Sequence, residues 1–418
     1  MAESVTDNSL PVAFAVLEFS DRMLGGSRSL SLIVKHLRRI RPHVVCFRNG
    51  EFYETIKSAG IPTTLLSDVR EDHFDSVRTK SLFELFELLR QLAVTNFRSY
   101  QFVRRGSFGV VHCNSIYDFF HCFIGVKLAR TRILFNIRGV HPDNKMKWHW
   151  HVPLLLSDGV VVLSEDMRRY YLERTWQLFR RRTAKRITTI YSAIPFGEID
   201  QLQNKDRNTL RSSLKLPQER LIVTCIGSII SRKGQLELIR HVIGAVTKQV
   251  PEALFCFIGD SNPAKPSSIK YLNECKDAVR GLQLDDNVLF VGHQESIFRW
   301  IIASDLTVIC SQYEGLPRVM IESIACARPV VATEVTSAHE ILSNYDCGFV
   351  VPQCRWDQFG ERVLELLKNG GLRTEMGLRG HAASRELFDL ESIVQQYETN
   401  YLRLARGAEH RTSSHPGL

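Results

Sequence analysis

Short apolar runs alternate along this chain with longer stretches of helical spacing. Runs at Val12–Leu17, His43–Phe47, Val110–Cys113, Ile133–Ile137, Gly159–Leu163 and Thr188–Tyr191 predict strands. Between them the periodicity is helical, as in SLFELFELLRQLA at 81–93. After about residue 200 the alternation restarts, with runs at Leu221–Ile226, Ala253–Ile258, Asn287–Val291, Leu306–Cys310 and Val330–Ala332. Strand–helix alternation of this kind predicts parallel sheets covered on both faces, hence an α/β protein. The polar segment Phe196–Pro217 suits a linker followed by a short helix. Two doubly wound units follow from the pattern. Ligands of such sheets bind beyond the carboxyl ends of the strands, so two facing units predict a cleft between lobes.

Composition sharpens this picture in few places. The 418 residues are 44% hydrophobic and 24% charged, which suits ordinary globular cores. No apolar run approaches the roughly 18 residues of a membrane-spanning helix. The start, MAESVTDNSLPVAF, has no basic leader with an apolar core, so no secretory signal is expected. The ten cysteines form no C-x-x-C pair. Cys225, Cys256 and Cys310 fall in strand-like runs and read as small buried hydrophobes of a reducing, cytoplasmic setting.

Charge is unevenly placed. Residues 1–200 hold 29 Lys and Arg against 20 Asp and Glu, whereas residues 201–418 hold 25 of each. The excess concentrates between Arg168 and Arg186, with Arg180, Arg181, Arg182 and Lys185. That is either a solvated helix face or a surface for an anionic membrane or phosphorylated acceptor. No interleaving of aromatic and basic residues points to nucleic acid, which is not expected as a partner.

The candidate chemistry centres on QYEGLPRVMIESIACARPVVAT at 312–333. Glu314 and Glu322 have seven residues between them, separated by a Gly315-Leu316-Pro317 turn. Pro317 suits the first position of a helix. The free N–H groups of that helix start suit a diphosphate. Glu322, one turn further, suits two vicinal ribose hydroxyls, and Glu314 is placed to touch a sugar. An ordinary amphipathic helix between two strands fits the same spacing. Gly25-Gly26-Ser27 precedes a helical stretch at Ser29–Ile40 and either lets backbone amides approach a phosphate or is a plain loop. His149 and His151 in KWHWHVP alternate as on a strand or loop, with no third metal ligand nearby.

The 312–333 segment resembles the signature of the family 4 glycosyltransferases, retaining enzymes of the GT-B fold. Glu314-Gly315-Leu316-Pro317, Glu322-Ser323 and Pro329-Val330-Val331-Ala332-Thr333 carry the resemblance, and Glu340 matches a further glutamate. Gly25-Gly26-Ser27 matches the family's glycine-rich loop. Lys233-Gly234 after Gly227-Ser228 matches its diphosphate grip, with Ser228 in the usual arginine position and Arg232 beside Lys233. Ile258-Gly259-Asp260 resembles the family's Gly-Asp/Glu-Gly turn, and Val288–His293 resembles the strand whose end faces the nucleotide base. Val110–Ser115 resembles a first-lobe strand end of the family, and Arg138, with His141 three residues on, stands where many members have histidine.

The resemblance implies two Rossmann-like domains, 10–196 for the acceptor and 197–388 for the donor, with a helix at 389–406 crossing back. It implies transfer from a nucleoside diphosphate sugar, with UDP or GDP expected, to a glycan or lipid-linked acceptor with retention. No further cofactor and no metal are expected. Glu314, Arg232, Lys233 and Arg138 would act at the reacting centre. Gly25, Gly26, Ser27, Gly227, Ser228, Asp260, His293, Gly315, Leu316, Pro317, Arg318 and Glu322 would hold the donor. The expected setting is synthesis of cell-surface glycan, lipopolysaccharide or lipid-linked oligosaccharide, on the inner face of the membrane. A nucleotide-sugar epimerase and a non-catalytic binder that kept the fold are the alternatives.

Overall fold

The computed structural model describes residues 10–16, 23, 25–67, 69, 81–140, 148–263 and 265–412. The first lobe holds a sheet of β1 (Leu10–Val16), β2 (Ile40–Cys46), β3 (Thr63–Leu65), β4 (Val110–Cys113), β5 (Arg132–Ile137), β6 (Gly159–Val162) and β7 (Ile187–Thr189). Their spatial order is β3-β2-β1-β4-β5-β6-β7. The second holds β8 (Leu221–Ile226), β9 (Ala253–Ile258), β10 (Val288–Gly292), β11 (Leu306–Ile309), β12 (Val330–Thr333) and β13 (Gly348–Val351), ordered β10-β9-β8-β11-β12-β13. Every strand pair is parallel. Strand order reverses between β1 and β4 and between β8 and β11, and crevices form at such reversals.

The helices used below are α1 (Gly25–His36), α2 (Leu82–Gly106), α3 (Ile116–Leu128), α4 (Trp148–Leu156), α5 (Glu165–Arg174), α6 (Gln177–Ala184), α7 (Arg318–Ala325) and α8 (Leu390–Thr412). Helix α2 starts where Ser81 Oγ accepts from Glu84 N and the Glu84 carboxylate accepts from Ser81 N, a reciprocal cap. Helix α8 belongs to the second half of the sequence but packs on the first sheet. Its Ile393, Val394, Tyr397 and Tyr401 join Val12, Phe14 and Leu30 in one apolar cluster. Glu398 Oε1 also accepts from the N–H groups of Arg38 and Arg39, both at 2.6 Å. Another cluster runs from Phe119 and Ile137 of the first lobe to Leu316, Val319 and Met320 of the second, so the lobes share apolar core.

Several expectations need correction. The helix after β1 begins at Gly25 and ends at His36, because Ile40 is needed in β2, where it is fully buried and pairs with Leu10. The 196–217 segment forms two helices, Phe196–Gln203 and Arg207–Ser213. His149 and His151 lie on α4, not on a strand or loop, and two residues apart on a helix they point away from each other. Pro317 sits just before α7 with ψ 116°, outside helical space, while its carbonyl accepts from Met320 N at 3.1 Å. His141 lies outside the described residues.

Candidate active site

The site is built at the β8/β11 reversal. The turn after β8 runs from Gly227 to Gly234, and three glycines let backbone segments meet there. Gly234 has φ +70°, and a Cβ on it would stand 2.0 Å from Cys310 O. Gly259, with φ +139°, would place a Cβ 2.1 Å from Gly227 O. Only glycine tolerates both the left-handed backbone and the contact. Gly227 backs onto the Lys233 side chain, whose Cε would lie 3.5 Å from a Cβ there.

This packing delivers Arg232 and Lys233 to Glu314, in the loop after β11. One carboxylate oxygen, Oε1, accepts from Lys233 Nζ, lies 2.8 Å from Arg232 Nη1, and accepts from Ser311 Oγ at 3.2 Å. Arg232 also donates to Tyr313 O at 3.0 Å and stacks over the Tyr313 ring. Burial pushes the Glu314 carboxyl upward, but the charges of Lys233 and Arg232 outweigh it and hold it below the usual glutamate range. Ser311 and Tyr313 were not anticipated from the sequence. Their nearness to Glu314 in the chain was the available signal.

The next four residues turn the chain into α7. A Cβ on Gly315 would lie 2.9 Å from Arg138 O, 3.0 Å from Met167 Sδ and 3.1 Å from Gly139 Cα. Gly315 is thus one point where the second lobe touches first-lobe backbone. Leu316 and Pro317 are buried beside it. Arg318 begins α7, and its Nε and Nη2 reach Glu322 Oε1 at 3.0 and 2.9 Å. Glu322 is buried with this oxygen already engaged. Arg318 Nη1 is buried without a hydrogen-bond partner.

The first lobe supplies a third arginine. Arg138 follows β5, and its Nε donates to Asn114 Oδ1 at 2.7 Å. Burial lowers its pKa from the ordinary arginine value, and the Arg318 charge acts in the same direction. Two guanidiniums from opposite lobes therefore feel each other where the lobes meet. Helix α1 starts beside both: a Cβ on Gly25 would be 3.3 Å from Arg318 Cδ, and one on Gly26 would be 3.3 Å from Arg138 Cδ. His112 lies beneath, its Nδ1 2.7 Å from Tyr401 Oη, and burial with the Arg138 charge pushes its pKa down to about 3. It is neutral and adds no charge.

Other candidates are placed differently. Ser27 is buried in α1. Ser228, Asp260 and His293 are exposed at strand-end turns, and Asp260 Oδ1 accepts from Ser261 N at 2.8 Å. Glu340 does not reach the cluster. Its carboxylate accepts from Glu165 N at 3.0 Å, Asp166 N at 2.7 Å and the Tyr191 hydroxyl, capping first-lobe helix α5 from the second lobe. Beside it Ser164 Oγ and Ser337 Oγ are 2.6 Å apart. His151 stacks on Trp176 with ring centroids 4.6 Å apart.

Residues 206–382 match the family described as glycosyl transferases group 1. The second lobe belongs to that family. This group 1 lobe holds Glu314, Glu322, Arg232, Lys233 and Arg318. Among curated relatives, N-acetyl-alpha-D-glucosaminyl L-malate synthase of Bacillus anthracis is 30% identical over 60% of this chain and 61% of its own length. The capsular polysaccharide biosynthesis glycosyltransferase CapM of Staphylococcus aureus is 24% identical over 66% of this chain and 71% of its own. The chain spans 42 to 61% of the length of three such relatives, about half. Among solved structures, Anabaena HepE in complex with UDP-glucose superposes with TM-score 0.74 at 19% identity, covering 94% of this chain and 99% of that one. Sucrose-phosphate synthase from Thermosynechococcus elongatus gives 0.72 at 18%, covering 95% and 100%. The fold around the group 1 lobe is GT-B.

Proposed function

We propose that this chain is a retaining glycosyltransferase that moves a sugar from a nucleoside diphosphate sugar to an acceptor hydroxyl in cell-surface glycan synthesis. The observation that carries the reading is the convergence of Arg232, Lys233, Arg318 and Arg138, from two lobes, around Glu314 and Glu322. Four cationic side chains stand against Glu314, Glu322 and, behind Arg138, the charge of Asp118, so positive charge is in excess, which suits a diphosphate leaving group. The start of α1 adds backbone donors between the two arginines. Electrostatic stabilisation of the departing diphosphate is then the main catalytic term. The Glu322 oxygen that is not bonded to Arg318 suits ribose, and Glu314, held ionised, suits donor-sugar hydroxyls. The acceptor attacks from the face the diphosphate leaves, and a leaving phosphate oxygen takes its proton. The binding of UDP or UDP-glucose by HepE supports a uridine nucleotide as the first donor to test.

The test is thermal stabilisation and hydrolysis across UDP-, GDP-, ADP- and CMP-sugars with EDTA present. Selective stabilisation by one nucleoside diphosphate sugar, with slow hydrolysis that keeps the anomeric configuration, is expected. No response to any donor overturns the reading. Inversion at the anomeric carbon overturns retention alone, and dependence on added metal overturns the metal-independent mechanism alone.

A further inference from the structure

The first lobe carries an apolar surface made by residues other than those of the candidate site. Helices α2, α3, α4 and α6 lie side by side on one face of the first sheet. Eleven of the sixteen large apolar side chains exposed among the described residues lie on this layer or at its helix caps. On α2 they follow a helical stripe: Leu82, Phe86, Leu89 and Phe97 are spaced by four, three and eight residues and are 88, 64, 58 and 60% exposed. At 1.5 Å per residue the stripe is roughly 22 Å long. Across the layer Trp176 is 54% and Leu178 84% exposed, directly before Arg180, Arg181 and Arg182.

Basic side chains gather at two places on this layer, while the carboxylates Glu84 and Glu87 lie in the first turns of α2, Glu87 paired with Arg90. Arg104 and Arg105 are exposed at the end of α2, and Arg180, Arg181, Arg182 and Lys185 are exposed on and just after α6. Among the described residues no carboxylate forms an ion pair with any of these six. Apolar and aromatic side chains standing out of a broad helical face, flanked by unpaired arginines, fit an interface of acyl chains below and anionic headgroups above. A protein partner is a poorer fit, because stable protein interfaces concentrate their apolar residues in a packed centre with charge depleted there. No described helix is long and apolar enough to cross a membrane, so the contact lies in the plane of the surface.

We infer that the α2–α6 face of the first lobe docks on an anionic lipid bilayer, with the α2 stripe entering the headgroup boundary and the arginines of α6 meeting lipid phosphates. This stands apart from the reading of the cleft, and donor binding reports on that reading separately.

The test uses the full chain with vesicles of pure phosphatidylcholine and of phosphatidylcholine with 30% phosphatidylglycerol, read by flotation. The expected result is flotation only with the anionic vesicles, weakened by salt. The pair F86E/L89E alters exposed side chains, so its melting temperature should stay unchanged while vesicle binding falls at least tenfold. The triple R180A/R181A/R182A should lose the salt-sensitive part of binding. Thermal stabilisation by UDP should be equal in all three proteins. No flotation with anionic vesicles overturns the proposal, as does equal binding to neutral ones. A concentration-dependent dimer in sedimentation that F86E/L89E abolishes, with no vesicle binding, assigns the face to a second copy instead.

Discussion

The carboxylate of Glu314 offers the sharpest test of the site. Replacing it with glutamine keeps the shape, removes the charge and leaves Lys233 and Arg232 facing each other. At an effective dielectric of about 20, one such pair at 2.8 to 4 Å is worth about 4–6 kcal/mol before desolvation. Removing one partner of a buried pair costs about 3–5 kcal/mol. The cost here is smaller, since the Lys233 and Arg232 side chains are 20% and 30% exposed and regain water. We expect Glu314→Gln to lose about 1–3 kcal/mol at pH 7, or about 2–4 °C of melting temperature for each kcal/mol in a unit of this size.

The loss must depend on pH. The folded-state pKa of Glu314 lies below the ordinary value, so its stabilisation is fully present above about pH 4.3 and disappears as pH falls through the folded value. Melting curves of both proteins from pH 7 to pH 3 should therefore show a gap that narrows once the pH falls below the ordinary glutamate value. If Glu314 also contacts the donor sugar in the transition state, turnover falls roughly 10²–10³-fold. UDP affinity holds or rises, because a negative charge beside the diphosphate is gone. A gap that stays constant with pH refutes the electrostatic account. Near-normal turnover in a folded variant refutes the catalytic role.

Other substitutions probe the remaining contacts. Gly315→Ala places a methyl 2.9 Å from Arg138 O, and pushing the lobes apart should cost about 1–3 kcal/mol and lower turnover without a matching loss of UDP affinity; an unchanged melting curve would sink this. Glu322→Gln should weaken UDP binding about tenfold, or about 1.4 kcal/mol by calorimetry, and unchanged affinity argues against the ribose contact. Glu340→Gln removes the anionic cap of α5, so melting should fall by about 1 kcal/mol and small-angle scattering should show a larger radius of gyration. An unchanged radius would assign Glu340 to local capping alone.

Much of the architecture was legible because buried parallel strands are uninterrupted apolar runs. Val110–Cys113, Leu221–Ile226 and Ala253–Ile258 were read with their observed limits for that reason. The strands missed, Thr63–Leu65 and Gly348–Val351, are short edges and only partly buried, so they lack the signal. The start of α1 was misplaced because two glycines read as loop, whereas here they are its first turn, placed where a side chain would crowd Arg138 and Arg318. At the site, the residue types were visible but their pairing was not. Arg232 and Lys233 read as a diphosphate grip, yet both also hold Glu314, 82 and 81 positions further on. Glu340 read as part of the same signature, and only the tertiary contact of its carboxylate with α5 shows that it bridges the lobes.

The charges of the candidate site are divided between the two lobes. Residues 201–418 are neutral in sum, and within them Arg232, Lys233 and Arg318 face Glu314 and Glu322. Arg138 comes from the first lobe and has Asn114, not a carboxylate, as its hydrogen-bond partner. Neutral His112 beneath it neither repels nor attracts a ligand strongly. The contact at Gly315 sets that guanidinium, on which the Asp118 charge also acts, near Arg318, a repulsion that an anion between them would relieve. We expect a diphosphate to bind this closed form more tightly than an open one, a difference in affinity that would drive closure. On this account Arg138→Met should weaken UDP binding severalfold and make UDP less effective at compacting the molecule in scattering, while the ligand-free chain closes more readily. Compaction by UDP equal to that of the unaltered chain would show that the diphosphate closes the cleft without Arg138.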